Sequence, residues 1–350
     1  MRVGIVFHKN PYLPPTGIDL VRLRAIAGGL LERGISTEIV APVPHAGCIE
    51  GKIPVRPLSV LDVPDCYDIV KTCYHPSIML IGRFGGPVVS RIVRVVDHQS
   101  PARDEPFREQ LLRCQKLISE RSAVLVLNNR ANEERWRDQY GPKPDIKLIP
   151  TGCPRHLPEL GPNPFPSGQP VILFLGSIAA PRMIRLLNEA AYALEGIARI
   201  HFVGRNKAYL YGGDAECTLS SLITDHGEIP ETNIWDYVRH ASVGLALATG
   251  PDPFDNDVSK IMNYLRGGLP VLSEAPILTN ELIRKTGLGR IFQYNDVSDL
   301  VLGVQELLQL PRDALRKATM EFMSSQHSWD RRVEAYMDVF SLLVKGKRRK

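Results

Sequence analysis

Apolar and polar positions alternate between two periods along this chain, and the alternation sets out its elements. Residues 2–6 form a short apolar run, a proline-containing loop follows from His8 to Ile18, and Leu20, Leu23, Ile26, Ala27, Leu30 and Leu31 then recur at helical spacing. Gly34 stops that helix and residues 36–40 read as the next strand. Strand, loop, helix and strand in this order predict a parallel sheet with crossover helices. The pattern continues with strands over 68–72, 92–96, 124–127 and 146–150, and helices over 76–81, 109–122 and 129–140.

Periodicity lapses over 161–170, where Gly161, Pro162, Pro164, Pro166, Gly168 and Pro170 crowd into ten residues, and the interdomain linker is placed there. A second strand-and-helix series begins at 171–175 and ends in a helix over 328–344. The predicted organisation is an N-terminal unit over 1–160, a C-terminal unit over 171–327, a final helix over 328–344 that packs on the first unit, and a basic tail over 345–350. At 350 residues the chain suits two such units better than one core.

The net charge of +5 equals that of Lys345, Lys347, Arg348, Arg349 and Lys350, so the body is near balance, which argues against nucleic acid as a partner. That tail reads either as a solvated end or as a contact with an anionic membrane surface. No apolar run is long enough to span a bilayer, and the opening residues are too short for a signal-peptide core. Six cysteines show neither a C-x-x-C pair nor metal-ligand spacing, which fits reduced thiols in a cytoplasm.

The densest chemistry lies over 255–274. Asn256, Ser259, Lys260 and Asn263 fall on one face of a predicted helix that Gly267 and Gly268 end, and Pro270 opens a short strand. A polar face with one lysine near a helix start suits an anion, phosphate above all. A second candidate is Asp97 with His98, just beyond the strand expected over 92–96, at the edge where open α/β sheets bind ligands. Asp97 reads either as a general base, with His98 orienting it or holding a sugar, or as a turn cap.

The 255–274 stretch resembles the donor-binding signature of glycosyltransferases with the GT-B fold. In family 4 of those enzymes two glutamates are separated by seven residues; counting back from Pro270 puts Asp255 and Asn263 at their places. A lysine three residues before the second site is similar to the nucleotide-sugar helix of bacterial polysaccharide glucuronosyltransferases. The turn after 171–175 resembles the family's Gly-Arg-x-x-x-x-Lys-Gly phosphate turn, with Ser177 in place of the arginine and Arg182 at the lysine position. Arg182 followed by Met183 again resembles the glucuronosyltransferases, where the arginine serves phosphate or a donor carboxylate and the methionine packs on the base. Glu228 stands in a loop similar to the one that faces uracil. His8, Thr16 and Gly17 stand in the loop that faces the cleft in this fold. Ser328-Trp329 resembles the start of the family's last helix.

The resemblance implies an α/β GT-B architecture: two Rossmann-like domains with a cleft between them and a C-terminal helix returning to the first. It implies sugar transfer from a nucleoside diphosphate sugar, UDP-linked for preference, to a hydroxyl of a glycan, lipid-linked or small-molecule acceptor. The enzyme would be cytoplasmic, in some relatives at the inner face of the membrane, with no metal and no cofactor beyond its co-substrate. Arg182, Met183, Glu228, Asp255, Asn256, Ser259, Lys260 and Asn263 would hold the donor. Inverting and retaining outcomes both stay open, and so do two other functions on the same fold: a non-catalytic nucleotide-sugar binder and a nucleotide-sugar epimerase.

Overall fold

Two parallel sheets organise the computed structural model, which describes residues 1–13, 18–98, 107–166, 168–210, 217–253, 258–311 and 313–347. The chain divides into two units, one of Met1–Gly152 with Trp329–Lys350 and one of Cys153–Ser328. The segment 161–170, read as the linker, lies within the second unit: Gly161 N–H donates to Asp236 Oδ1 (2.8 Å) and Phe165 is buried. Its prolines interrupt periodicity without leaving the chain unpacked.

In the first unit the sheet order is β3-β4-β2-β1-β5-β6-β7-β8. The strands are β1 (Arg2–Val6), β2 (Ser36–Ala41), β3 (Gly47–Ile49), β4 (Ile53–Pro57), β5 (Ile69–Cys73), β6 (Val88–Arg91), β7 (Val124–Leu127) and β8 (Asp145–Leu148). All neighbours run parallel except β3 and β4. That pair escapes the sequence pattern because Pro54 and Pro57 interrupt it, and proline is tolerated at such an edge. Helices α1 (Ile18–Glu32), α2 (Arg108–Arg121) and α3 (Arg130–Tyr140) belong to this unit, and the helix expected over 76–81 is a 3-10 turn, His75–Leu80.

The strand expected over 92–96 is the main correction here, because β6 ends at Arg91. Residues beyond it are held mostly by side chains. Asn132 on α3 accepts from Val95 N–H (2.7 Å), while Gln115 on α2 accepts from Val96 N–H and donates to its carbonyl, both at 2.7 Å. Two buried amides thus supply partners that a neighbouring strand would otherwise give.

The last helix, α10 (Trp329–Lys347), completes the first unit's core. Val333, Tyr336, Val339 and Phe340 join α1 and the sheet, each burial contributing about 1.5–3 kcal/mol before entropy is counted. Contact with α1 is close: a Cβ at Gly29 would lie 2.6 Å from Val333 Cγ2. Arg332 donates from Nε and Nη2 to the Thr151 carbonyl (both 3.1 Å), and Arg33 pairs with Asp330 at 3.0 Å.

The second unit carries β9 (Val171–Leu175), β10 (Arg199–Val203), β11 (Thr224–Asp225), β12 (Val243–Ala246), β13 (Val271–Glu274) and β14 (Gly289–Phe292). Its order is β11-β10-β9-β12-β13-β14, parallel throughout. Helices α4 (Pro181–Ala193), α5 (Ile234–His240), α6 (Lys260–Arg266), α7 (Asn280–Thr286), α8 (Val297–Gln309) and α9 (Asp313–Gln326) connect or cover the strands. The strand order reverses at β9, and the strands around it are buried but for Arg199 at the start of β10, so this unit's ligand edge is expected where β9, β10, β12 and β13 end. No described helix is long and apolar enough to cross a membrane.

Candidate functional site

The turn after β9 is joined by hydrogen bonds to the turn after β10. Gly176 N–H donates to the Val203 carbonyl (2.8 Å), Ile178 N–H to the Arg205 carbonyl (3.1 Å), and Lys207 N–H to the Ile178 carbonyl (2.9 Å). Gly204, at φ +148°, donates to the Gly227 carbonyl (2.8 Å), which brings the turn after β11 alongside. A Cβ at Gly204 would overlap the Gly176 carbonyl oxygen, so the close approach of these turns requires glycine there.

Helix α6 is anchored to this edge by Tyr264, a residue that sequence reasoning passed over. Strands β9 and β12 pair as far as Phe174 and Leu245. Where that pairing ends, the fully buried Tyr264 hydroxyl accepts from Leu175 N–H (2.7 Å) and lies within donating distance of the Leu173 and Leu245 carbonyls (3.0 and 3.1 Å). Lys260, one helical turn earlier on α6, consequently meets the Gly176 turn. Its Nζ is 3.9 Å from the Phe174 ring centroid and would be 3.8 Å from a Cβ at Gly176.

Lys260 has no hydrogen-bond or ion-pair partner among the described residues. Burial lowers its pKa from 10.5 to about 7, so its charge at neutral pH depends on what binds beside it. Asn263, three residues on along the helix, is half-buried, and its side chain likewise has no partner among the described residues. Ser259 flanks the helix start without capping it. The predicted polar face of Ser259, Lys260 and Asn263 is therefore present, its side chains without hydrogen-bond partners among the described residues. Asp255 and Asn256 lie outside the described residues.

Arg182 and Met183 differ from expectation. The Arg182 guanidinium forms a two-pronged pair with Glu274, Nη1 to Oε1 at 2.8 Å and Nη2 to Oε2 at 3.0 Å, and also donates to the Ala248 carbonyl. It lies over the Tyr294 ring, with Cζ 4.5 Å from the centroid. Glu274 is wholly buried and accepts two further bonds, from Ala248 N–H (2.7 Å) and Asn295 N–H (2.8 Å). The fork expected to clamp a diphosphate is thus engaged by a carboxylate 92 residues away, which no local motif signals. Met183 lies in the core beneath β9 and β10, its Sδ accepting from Ala179 N–H (3.4 Å), so it has no free face for a base.

Glu228 is exposed beyond β11. Three residues on, Glu231 is half-buried, has no partner among the described residues, and is pushed up to about 7 by desolvation. The signal that could have found it is its place just before α5, after Pro230. Among the described residues no group of three or more His, Cys, Asp or Glu side chains forms a metal-binding cluster.

In the first unit an open pocket of about 220 Å³ is lined by His8, Lys9, Asp19, Tyr74, His75 and Arg94, with three further residues. His8 follows β1, its Nδ1 3.4 Å from Ser77 Oγ. Desolvation and the Lys9 charge hold its pKa below the ordinary 6.5, against the pull of Asp19, so the ring is neutral at pH 7. Thr16 and Gly17 fall outside the described residues. Asp97 does not line this pocket; its carboxylate is paired with Arg135 on α3, and His98 is exposed. The expectation that placed both at a strand's end fails because β6 stops six residues before Asp97.

Neither protein-family models nor curated sequences give a match to this chain. Solved structures do. Sucrose-phosphate synthase from Thermosynechococcus elongatus superposes with a TM-score of 0.76 at 15% identity, over 98% of this chain and 99% of that one. Anabaena HepE, in its complex with UDP-glucose, gives 0.72 at 15% identity over 97% and 100%. A glycosyltransferase from Rickettsia africae gives 0.71 at 13% identity over 98% and 98%. The likeness spans nearly the whole of each chain and shows the GT-B fold.

Proposed function

We propose that this chain is a glycosyltransferase that moves a sugar from a nucleoside diphosphate sugar, a UDP-sugar foremost, to an acceptor hydroxyl. The observation that carries the reading is Lys260, a lysine with no hydrogen-bond or ion-pair partner among the described residues, beside a glycine turn at the ligand edge of the second unit. When the sugar leaves, negative charge grows on the diphosphate. A lysine already desolvated, and needing no reorganisation, stabilises that charge more than one in water would. The side chain supplies the countercharge itself, which is the ground for proposing a metal-independent reaction. Ser259 and Asn263 offer hydroxyl and amide groups to the nucleotide or sugar, and Glu231 offers a carboxylate to a hydroxyl. Arg182, engaged by Glu274, acts by holding the end of β13 to the loop after β12.

The UDP preference draws on HepE, solved with UDP-glucose. The acceptor is assigned to the first unit's pocket, where neutral His8 is able to take a hydroxyl proton. If the anomeric configuration inverts, His8 is the base; if it is retained, His8 only binds the acceptor. The transferred group is a hexosyl or hexuronosyl residue, and the acceptor a glycan or glycolipid.

A second reading, a nucleotide-sugar binder without turnover, is favoured by one observation: the phosphate-turn arginine is already paired. The two readings are separated by a thermal-shift titration with UDP, GDP, ADP and TDP and their sugars, followed by mass spectrometry of products. A shift confined to one nucleotide, with sugar appearing on an added acceptor, is expected. A shift without any product selects the binder, and no shift with any nucleotide removes the donor assignment itself.

A further inference from the structure

Three cations with buried side chains converge in the first unit, away from the Lys260 helix. Lys71 on β5 and Arg91 on β6 are 1% and 2% exposed, and Arg22 on α1 is 5% exposed. Arg91 is the register partner of Cys73, and Lys71 lies two residues before Cys73, so both strands present these residues on the sheet face that α1 covers.

Their partners do not balance their charge. Arg22 donates from Nη1 to the Tyr74 hydroxyl (2.6 Å) and from Nη2 to Thr151 Oγ1 (3.1 Å), while its Nε has no partner among the described residues. Arg91 donates from Nη2 to Asn128 Oδ1, and its Nη1 has no partner among the described residues. Lys71 Nζ lies 3.3 Å from Cys73 Sγ, a weak acceptor, and 4.9 Å from the Tyr336 ring centroid; the buried Tyr336 hydroxyl has no partner among the described residues. Asp19 is the carboxylate at this place, and it already accepts from the Tyr74 hydroxyl and pairs with Lys9 at 3.4 Å. Burial and the neighbouring Arg22 charge hold the Arg91 pKa below its ordinary value, while Arg22, despite the opposing effect of its burial, is held above its own by Tyr74 and Asp19.

An arginine does not shed its proton in a protein, and among the described residues Asp19 is the one carboxylate lining the place, so the remaining charge calls for a partner beyond the described side chains. An uncompensated buried charge is strongly destabilising. Arg22, Lys71, Arg91, Asp19, Cys73 and Tyr74 enclose a cavity with room, about 10 Å³, for the centre of a single water-sized particle. A water molecule fits that space but brings no charge, and a phosphate or carboxylate group is too large.

We propose that this cavity binds one halide ion, chloride in the cell, held by Arg91 Nη1, Arg22 Nε and the Lys71 ammonium. Tyr74 and Asp19 line both this cavity and the open pocket that holds His8. The ion fixes Arg22, and through it the Tyr74 hydroxyl that forms the wall between the two. The proposal does not depend on the glycosyltransferase reading.

The test is thermal unfolding of the full chain in sodium chloride, sodium bromide and sodium gluconate at matched ionic strength, about 0.2 M, so that general screening is equal. Chloride and bromide should raise Tm over gluconate by about 5 °C, as expected for a native-state ligand near a hundredfold excess over its Kd. Arg91→Met should abolish the difference. A measurement on the wild-type chain guards against a variant that does not fold: protein should broaden the chloride NMR line, and bromide should reverse the broadening. Equal Tm values in chloride and gluconate with no broadening would overturn the proposal in favour of a water. A chloride effect that survives Arg91→Met would overturn it in favour of exposed anion sites.

Discussion

Replacing Lys260 by methionine should strengthen the fold and weaken the ligand, a combination few other changes would produce. The methionine keeps an apolar stem against Phe174 and removes the charge. An ordinary lysine titrates at 10.5 and this one at about 7, so between those values the unfolded chain binds the extra proton. Wild-type stability must therefore rise with pH across that window, and the penalty of the buried charge is fully present below pH 7. At about 1.36 kcal/mol per pH unit the whole shift would amount to roughly 4–5 kcal/mol. Lys260 keeps partial contact with water, which reduces the realised penalty to about 2 kcal/mol. Urea unfolding at pH 6.5 should find Lys260→Met about 2 kcal/mol more stable than wild type, with the gap closing towards pH 10. UDP should bind the variant about 10–100-fold more weakly at pH 7, the loss of one charge-assisted contact. Bound diphosphate raises the lysine pKa again, so wild-type affinity should fall by up to about tenfold per pH unit above 7, with proton uptake visible by calorimetry in buffers of different ionisation enthalpy. A variant less stable at pH 6.5, or one that binds UDP as wild type does, would refute this account.

Arg182→Met should cost about 3–5 kcal/mol in urea unfolding, because it leaves the wholly buried Glu274 without its cation; adding Glu274→Gln should recover a large part of the loss, and no recovery would show that the guanidinium acts otherwise. Tyr264→Phe removes a hydroxyl that serves Leu175 N–H and two buried carbonyls, and should lower stability by about 1–3 kcal/mol in the same assay. His8→Gln should reduce transfer by about 10²-fold or more in an inverting reaction while UDP affinity stays unchanged. Because burial lowers the His8 pKa, the ring stays unprotonated, and able to act as a base, to below pH 6.5. The acid limb of kcat/KM should therefore lie below 6.5; one lying above it would place the base elsewhere.

Local patterns in the sequence carried the elements whose partners are close along the chain. Strands β1, β7 and β9 fall where apolar runs end in polar or glycine punctuation, and the face of Ser259, Lys260 and Asn263 follows from helical spacing. What escaped depends on distant side chains. The apolar run over 92–96 resembles a strand until Gln115 and Asn132 take its hydrogen bonds. Arg182 looks free until Glu274 arrives from the end of β13. The buried cations had a signal that went unused: Lys71 lies between Val70 and Thr72, and Arg91 between Ser90 and Ile92, charges set within buried strand segments. A lysine or arginine at such a position needs a partner, and the question of which one is worth asking before any fold is known.

The first unit is built from two stretches of chain separated by all of the second. A ribosome makes residues 329–347, and with them Val333, Tyr336 and Phe340, only after every residue of Cys153–Ser328 has been joined. Until then α1 and its side of the sheet face water along the seam that α10 covers, while the second unit, contiguous in sequence, has all it needs to close. The unit begun first is therefore finished last, which reverses the usual order of domains folding as they emerge. A frameshift or stop codon shortly before Trp329 would leave the later-made unit intact and the earlier-made one open.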